Sequence, residues 1–184
     1  GDVYKRQDVD RGSYLRWVEV ANRDFESRLR WCVAGKYEDA NHKPVIAIPG
    51  GLEKTVKSGE TVTLNADITE PDSLDIDGIW AKYSALYEQL GFNKESFVEI
   101  APQRYPKYNA YWWQYKEAGT YNGYIDIVAV DSGKSTFVAP KVDKPETLHL
   151  ILEVTDTGIP ALTTFARVIV TILSLIHISE PTRR

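Results

Sequence analysis

Eleven tyrosines and five tryptophans are many for 184 residues. Most of them fall between Trp80 and Tyr124, where flat apolar rings with polar edges are the groups that stack on the C–H faces of sugars. Trp112 and Trp113 are neighbours, and neighbours on a strand point to opposite faces, so one belongs to the core and the other does not. The parity places Trp113 with Tyr111 and Tyr115 on one face and Trp112 with Gln114 on the other; which face is buried depends on the register and stays open. Trp113, Tyr115, Tyr111 and the nearby Tyr121 are the candidate ligand-binding residues. A second set, Trp80, Tyr83, Tyr87, Phe92, Tyr105 and Tyr108, includes rings at helical spacing, which more often pack than bind.

Catalytic groups are sparse. A Ser or Cys nucleophile needs a histidine base held by a carboxylate, yet His42 opens one strand, His149 lies in the middle of another, and Cys32 sits on an apolar helix face and reads as a small buried hydrophobe. No catalytic residue is assigned and no enzyme is expected. Glycoside hydrolysis needs two carboxylates across a groove, and no pair stands out. Three histidines and one cysteine argue against a Cys/His zinc site. Asp67, Glu70, Asp72, Asp75 and Asp77 follow the second strand and Glu153 and Asp156 close the sixth, so two acidic loops meet at one end of a sandwich, as calcium would require. The run 72–78 lacks the alternating aspartates of an EF-hand, no metal ligand is assigned, and no cofactor is expected, with calcium kept as the alternative.

The net charge of -4, from 22 basic and 26 acidic residues, argues against a nucleic-acid partner, which selects for clustered Lys and Arg. No apolar run reaches the roughly 18 residues that a membrane span needs, so no membrane partner is expected. The single Cys32 leaves the redox compartment open. The length suits one domain with one core. Residues 1–7 (GDVYKRQ) and 174–184 (SLIHISEPTRR) resemble translated sequencing adapters and are set apart from functional reasoning, His177 included.

The elements that must position the rings follow from periodicity. Over 11–33, Tyr14, Val18, Ala21, Phe25, Leu29 and Cys32 recur at three- and four-residue steps, the pattern of one amphipathic helix; Ser13 is the expected cap, and residues 8–40 form a linking segment. After Pro44 the period becomes two, and strands are expected at 44–48, 61–68, 109–115, 124–130, 135–138, 147–155 and 163–172. Seven short strands indicate an immunoglobulin-like antiparallel β-sandwich over 43–173. Tight turns fall at 58–60 and 131–134. Residues 73–108 break the pattern as an insertion with one short helix, 79–90, ended by Gly91 and followed by loop.

Two runs, YWWQYKEAGTY at 111–121 and TLHLILEVTDTGIPALT at 147–163 ending in RVIVTI at 167–172, resemble the C-terminal immunoglobulin-like domain of a bacterial family described as cellulose-binding proteins with an N-terminal nucleoside hydrolase-like domain. RWCV at 30–33, ANHKPV at 40–45 and FVAP at 137–140 fit the same family. Its relatives pass from the second strand through a short turn directly to the Trp-Trp strand, so the insertion is a departure. The resemblance implies a noncatalytic accessory module of a secreted or periplasmic, polysaccharide-associated protein, partnered by an upstream nucleoside hydrolase-like domain and by cellulose or another polysaccharide. Two alternatives stay open: a purely structural domain docked on that upstream half, or one whose insertion contributes a loop to its active site.

Overall fold

A computed structural model describes residues 2–72, 76–104 and 107–175. The chain divides into two compact units: Gly1–Pro44, Glu70–Asn109 and Thr155–Thr163 form the first, and Val45–Thr69, Ala110–Val154 and Thr164–Arg184 the second. A single core is what the length suggests.

The second unit is mainly β. Its strands are β1 (Val45–Ala47), β2 (Glu53–Lys57), β3 (Thr61–Asn65), β4 (Asp67–Thr69), β5 (Tyr108–Gln114), β6 (Val128–Ala129), β7 (Lys134–Val138), β8 (Glu146–Asp156) and β9 (Thr163–Leu173). They form a four-stranded sheet in the order β2-β9-β8-β5, a three-stranded sheet β3-β7-β6 and the ribbon β1-β4. The expected strand at 61–68 is broken into β3 and β4, and 124–130 contributes only the short β6. The β2 strand escapes the sequence pattern because only Val56 of Glu53–Lys57 is buried. It also departs from the expected all-antiparallel pairing, since β2 runs parallel to β9 with Val56 opposite Ile172. A parallel neighbour is reached through a long connection rather than a hairpin.

Both larger sheets bury one alternating row of side chains, and the four-stranded sheet also buries Ile151 on the other face of β8. Leu148, Leu150, Leu152 and Val154 alternate along β8, Val168, Val170 and Ile172 along β9, Val62 and Leu64 along β3, and all are buried. The two-residue period makes each of these a single inward row. Trp112 of β5 joins them at 7% exposure, which settles that Trp112, not Trp113, is the core tryptophan. Its indole Nε1 donates to the carbonyl of Gly133, 3.2 Å away, in the turn before β7. That carbonyl also accepts from the Ala66 N–H at 3.0 Å. Gly133 has to be glycine, because a Cβ there would lie 2.4 Å from the Ala66 oxygen. The bond links the four-stranded sheet to the turn that feeds β7 of the three-stranded sheet.

The first unit opens with α1 (Asp2–Val33). The helix runs through Ser13, so Ser13 is an interior residue and not the expected cap. Exposed i,i+4 pairs, Arg28 with Asp24 at 3.0 Å and Arg30 with Glu26 at 2.8 Å, line its polar side. The side turned to its own unit carries Ser27, which is buried, and Trp31, whose Nε1 donates to the Asn41 carbonyl at 2.8 Å. The predicted apolar stripe therefore points outward. Phe25, Leu29 and Val33 are 63%, 54% and 85% exposed, and Cys32 is exposed as well, contrary to its reading as a buried hydrophobe.

The inserted region forms two helices where one was expected, α2 (Ile76–Gln89) and α3 (Lys94–Arg104). Pro102 and Pro106 favour a loop reading, but the start of α3 is held by reciprocal bonds. Asn93 Oδ1 accepts from the Ser96 N–H at 2.8 Å, and Ser96 Oγ accepts from the Asn93 N–H at 3.1 Å, a box-like N-terminal cap. The buried Phe97 sits against Trp80 and Tyr87 at ring separations of 5.5 and 4.6 Å. These rings pack the insertion; Tyr105 lies outside the described residues.

Trp112→Ala is expected to lower unfolding stability by about 3–5 kcal/mol, through lost packing and the Gly133 carbonyl left with one bond fewer. Trp113→Ala should cost less than about 2 kcal/mol. Urea unfolding followed by far-UV circular dichroism compares the two, and equal losses would contradict this assignment of core and surface.

Candidate functional site

Burying Trp112 turns Tyr111 and Trp113 to the opposite face of β5. Tyr111 is exposed and Trp113 half-buried. The Trp113 indole is fixed by its Nε1, which donates to Glu153 Oε2 at 3.2 Å. Tyr115 follows the strand as the N-cap residue of the 3-10 turn at Lys116–Ala118. Its N–H donates to the His149 carbonyl at 2.8 Å, keeping it in register with β8. Its ring meets that of Trp113 edge to face, with centroids 5.8 Å apart and planes at 68°. Tyr111, Trp113 and Tyr115 are thus brought onto one stretch of backbone facing away from the core.

The neighbouring segment is pinned by Gln114. Its Nε2 donates to the Gly123 carbonyl at 3.0 Å, and its Oε1 accepts from the Ile125 N–H at 3.1 Å. Tyr121 and Tyr124 lie on this segment, the first half-buried and the second exposed. Lys116 Nζ stands 3.9 Å from the centre of the Tyr124 ring, a cation–π contact. Lys116 and Tyr124 are absent from the sequence-based candidates, although Tyr124 falls in the same aromatic window. Glu153, which the sequence places in one of two acidic loops, holds the Trp113 indole.

His149 and Glu153 share the outward parity of β8. Burial, with the Arg167 charge adding to it, pushes the His149 imidazole below its ordinary value. Its Nδ1 is buried without a hydrogen-bond partner among the described residues.

The first unit holds a separate polar cluster. Asn41 Nδ2 donates to Asp156 Oδ2 at 2.9 Å and to the Pro160 carbonyl at 2.8 Å. Asp156 Oδ1 accepts from the N–H groups of Gly158 and Leu162, both at 2.9 Å. His42 Nδ1 bonds Asp72 Oδ1 at 2.8 Å, and the imidazole stacks on Tyr37 with ring centroids 3.6 Å apart. A histidine oriented by a carboxylate is two parts of a nucleophilic triad, but among the described residues no hydroxyl or thiol bonds to it. Glu70 Oε1 accepts from the Asp72 N–H at 3.1 Å, while its Oε2 is buried without a partner. Burial, reinforced by the nearby Asp156 and Asp72 charges, pushes the Glu70 carboxyl up, against the opposing Asp72 N–H bond and His42.

Glu70, Asp72 and Asp156 are therefore electrostatic neighbours, as the convergence of the two acidic loops anticipates. Asp156 is committed to two backbone N–H groups and Asn41, and Asp72 to His42. Among the described residues no three His, Cys, Asp or Glu side chains are placed to hold a metal ion; Asp75 lies outside them.

Residues 106–172 match the family model of the C-terminal domain of cellulose-binding protein Sde0182. Among solved structures, a nucleoside hydrolase-related hypothetical protein from Saccharophagus degradans, described as associated with carbohydrate metabolism, superposes with a TM-score of 0.63 at 23% identity. The match covers 85% of this chain and 32% of that one, so this chain spans about a third of that protein's length. The family resemblance read from the sequence is borne out over the matched residues, and the structural likeness shows the fold. A 2,6-sialyltransferase from Photobacterium sp. JT-ISH-224 gives a TM-score of 0.33 at 13% identity, covering 67% of this chain and 17% of that one. Mouse PcdhgC3 gives 0.30 at 14%, covering 71% and 34%; neither carries an argument. No curated protein matches.

A carboxyl raised on folding contributes stability that is fully present below its unfolded value and is lost as pH rises through the folded one. Glu70 thus weakens the fold at neutral pH. Glu70→Gln should raise Tm at pH 7 by roughly 2–4 °C and lose that advantage toward pH 4. A scanning-calorimetry series over that range checks it, and a variant less stable at pH 7 would contradict the role of burial.

Proposed function

We propose that this chain, matching the C-terminal domain of a cellulose-binding protein over 106–172, is a noncatalytic accessory module of a longer polysaccharide-associated protein, and that it contacts glycan through the outward ring face of β5. One observation carries the reading. Trp113 faces away from the core, held by Glu153 Oε2 at 3.2 Å and flanked by Tyr115 at 5.8 Å. A fixed indole beside a second ring and a carboxylate offers a sugar both a stacking face and a hydroxyl acceptor. Preorganisation matters here, because a ring that is already held loses little rotamer freedom on binding.

The partners that fit are a polysaccharide of the cellulose type and an upstream nucleoside hydrolase-like domain in the longer protein. A secreted or periplasmic location follows from such a substrate. No helix among the described residues is long and apolar enough to cross a membrane. Activity, where the longer protein has one, belongs to the upstream domain in this reading.

A second reading is favoured by one feature of α1. Phe25, Leu29 and Val33 fall four residues apart and are all more than half exposed, a continuous apolar stripe of the kind that seeks a partner. It supports a structural role, with the helix docking on the missing upstream half. The two roles use different surfaces and do not compete.

The 184-residue chain is expected to sediment with phosphoric acid-swollen cellulose and Trp113→Ala to remain largely in the supernatant while keeping the far-UV circular dichroism spectrum of the wild-type chain. A well-folded wild-type chain that stays in solution would remove the glycan role and leave the structural one. For the stripe, size-exclusion chromatography with light scattering should show self-association that grows with concentration and is suppressed by Phe25→Lys with Leu29→Lys; a chain monomeric at every concentration would speak against a partner-seeking surface.

A further inference from the structure

We infer that the ring face of β5 takes a single, solvent-dispersed β-1,4-glucan chain and not the flat face of crystalline cellulose; this rests on the glycan-contact reading above and specifies the form of its substrate.

A crystal face of packed glucan chains is flat, and a protein grips it with rings that lie in one plane, each covering the face of one sugar. Trp113 and Tyr115 are only 5.8 Å apart, and their planes are inclined at 68°. Both cannot lie flat on one surface. They form a corner instead, in which one pyranose presents its C–H face to the indole while its edge meets the tyrosine ring. A corner of this kind admits a chain that has solvent on its other sides.

The polar groups point the same way. Glu153 reaches the edge of the indole, where its Oε2 accepts from Nε1 at 3.2 Å. A sugar seated on the indole would bring its equatorial hydroxyls to that carboxylate. In a crystal those hydroxyls are already bonded to the chains on either side, and exchanging such bonds for one carboxylate gains nothing. On a dispersed chain the hydroxyls are bonded to water and are free to exchange. Lys116, standing 3.9 Å from the centre of the Tyr124 ring, and the half-exposed Tyr111 extend the same polar and aromatic character along the strand and its following segment. Trp113 itself is half-buried, so it does not stand out from the surface as a raised platform.

The test uses three forms of one polymer with the 184-residue chain. Cellohexaose is titrated by isothermal calorimetry, and sedimentation is measured with phosphoric acid-swollen cellulose and with microcrystalline cellulose. The expected result is binding to cellohexaose and to swollen cellulose, with little or no sedimentation on the microcrystalline form. Trp113→Ala should weaken cellohexaose binding by about tenfold or more. Tyr115→Ala should weaken it several-fold, and Trp113→Phe should retain part of it; both keep the test valid should Trp113→Ala fold poorly. Sedimentation on microcrystalline cellulose that depends on Trp113 or Tyr115 would overturn the inference and leave the glycan role standing. Binding to swollen cellulose with no measurable affinity for cellohexaose would overturn it too. No binding to any of the three forms would remove the glycan role itself, and this inference with it.

Discussion

The hydrogen bond from Trp112 to the Gly133 carbonyl decides what the rest of the second unit can present. A strand turns successive side chains to opposite faces, so placing one ring of a Trp-Trp pair in the core places the other outside. The bond at 3.2 Å fixes which is which. A slip of one residue would exchange the two indoles and every other side chain of β5, and would leave the Gly133 carbonyl with the Ala66 N–H as its remaining partner. Gly133 makes the arrangement sterically feasible, since its backbone lies against Ala66 where a Cβ would collide at 2.4 Å. Core packing and surface display are two results of one constraint.

The outward face that this creates is unusual in composition. Glu153, His149 and Arg167 share it with Trp113 and Tyr111. Each polar group is anchored or perturbed by a neighbour: Glu153 by the indole N–H, His149 by burial and the Arg167 charge. A lowered histidine contributes stability that is present above its unfolded value and is lost as pH falls below it, so this face is better suited to neutral than to acidic surroundings. Half-buried polar groups around fixed rings weaken a fold slightly.

The first unit follows a different logic. Asn41 collects bonds from the 156–162 turn and from Trp31 of α1, so its short segment of irregular chain is held mainly by polar contacts. The helix can therefore turn Ser27 inward, bond Trp31 to the Asn41 carbonyl and leave Phe25, Leu29 and Val33 outside. Glu70, with one oxygen buried and unpartnered, is the least comfortable group in this cluster, and its raised carboxyl reflects burial more than any single neighbour.

Local chemistry determined much of this protein. The alternation of Leu148, Leu150, Leu152 and Val154, and of Val168, Val170 and Ile172, specifies half-buried strands because the period of two is a property of the backbone. The three- and four-residue steps from Val18 to Cys32 specify a helix for the same reason, and the Trp112–Trp113 pair specifies that one ring is outside. What periodicity cannot specify is which surface an element meets. The apolar stripe of α1 is legible, yet its exposure, and that of Cys32, depended on Asn41 supplying polar partners to the other side. The β2 strand, with Val56 its one buried residue, exists through its parallel register with β9, and α3 through a cap at its start that outweighs Pro102. The choice between Trp112 and Trp113 was likewise tertiary, because it rests on a carbonyl twenty-one residues away in sequence. Sequence sets the period of each element, and only packing between distant segments sets which of its faces meets water.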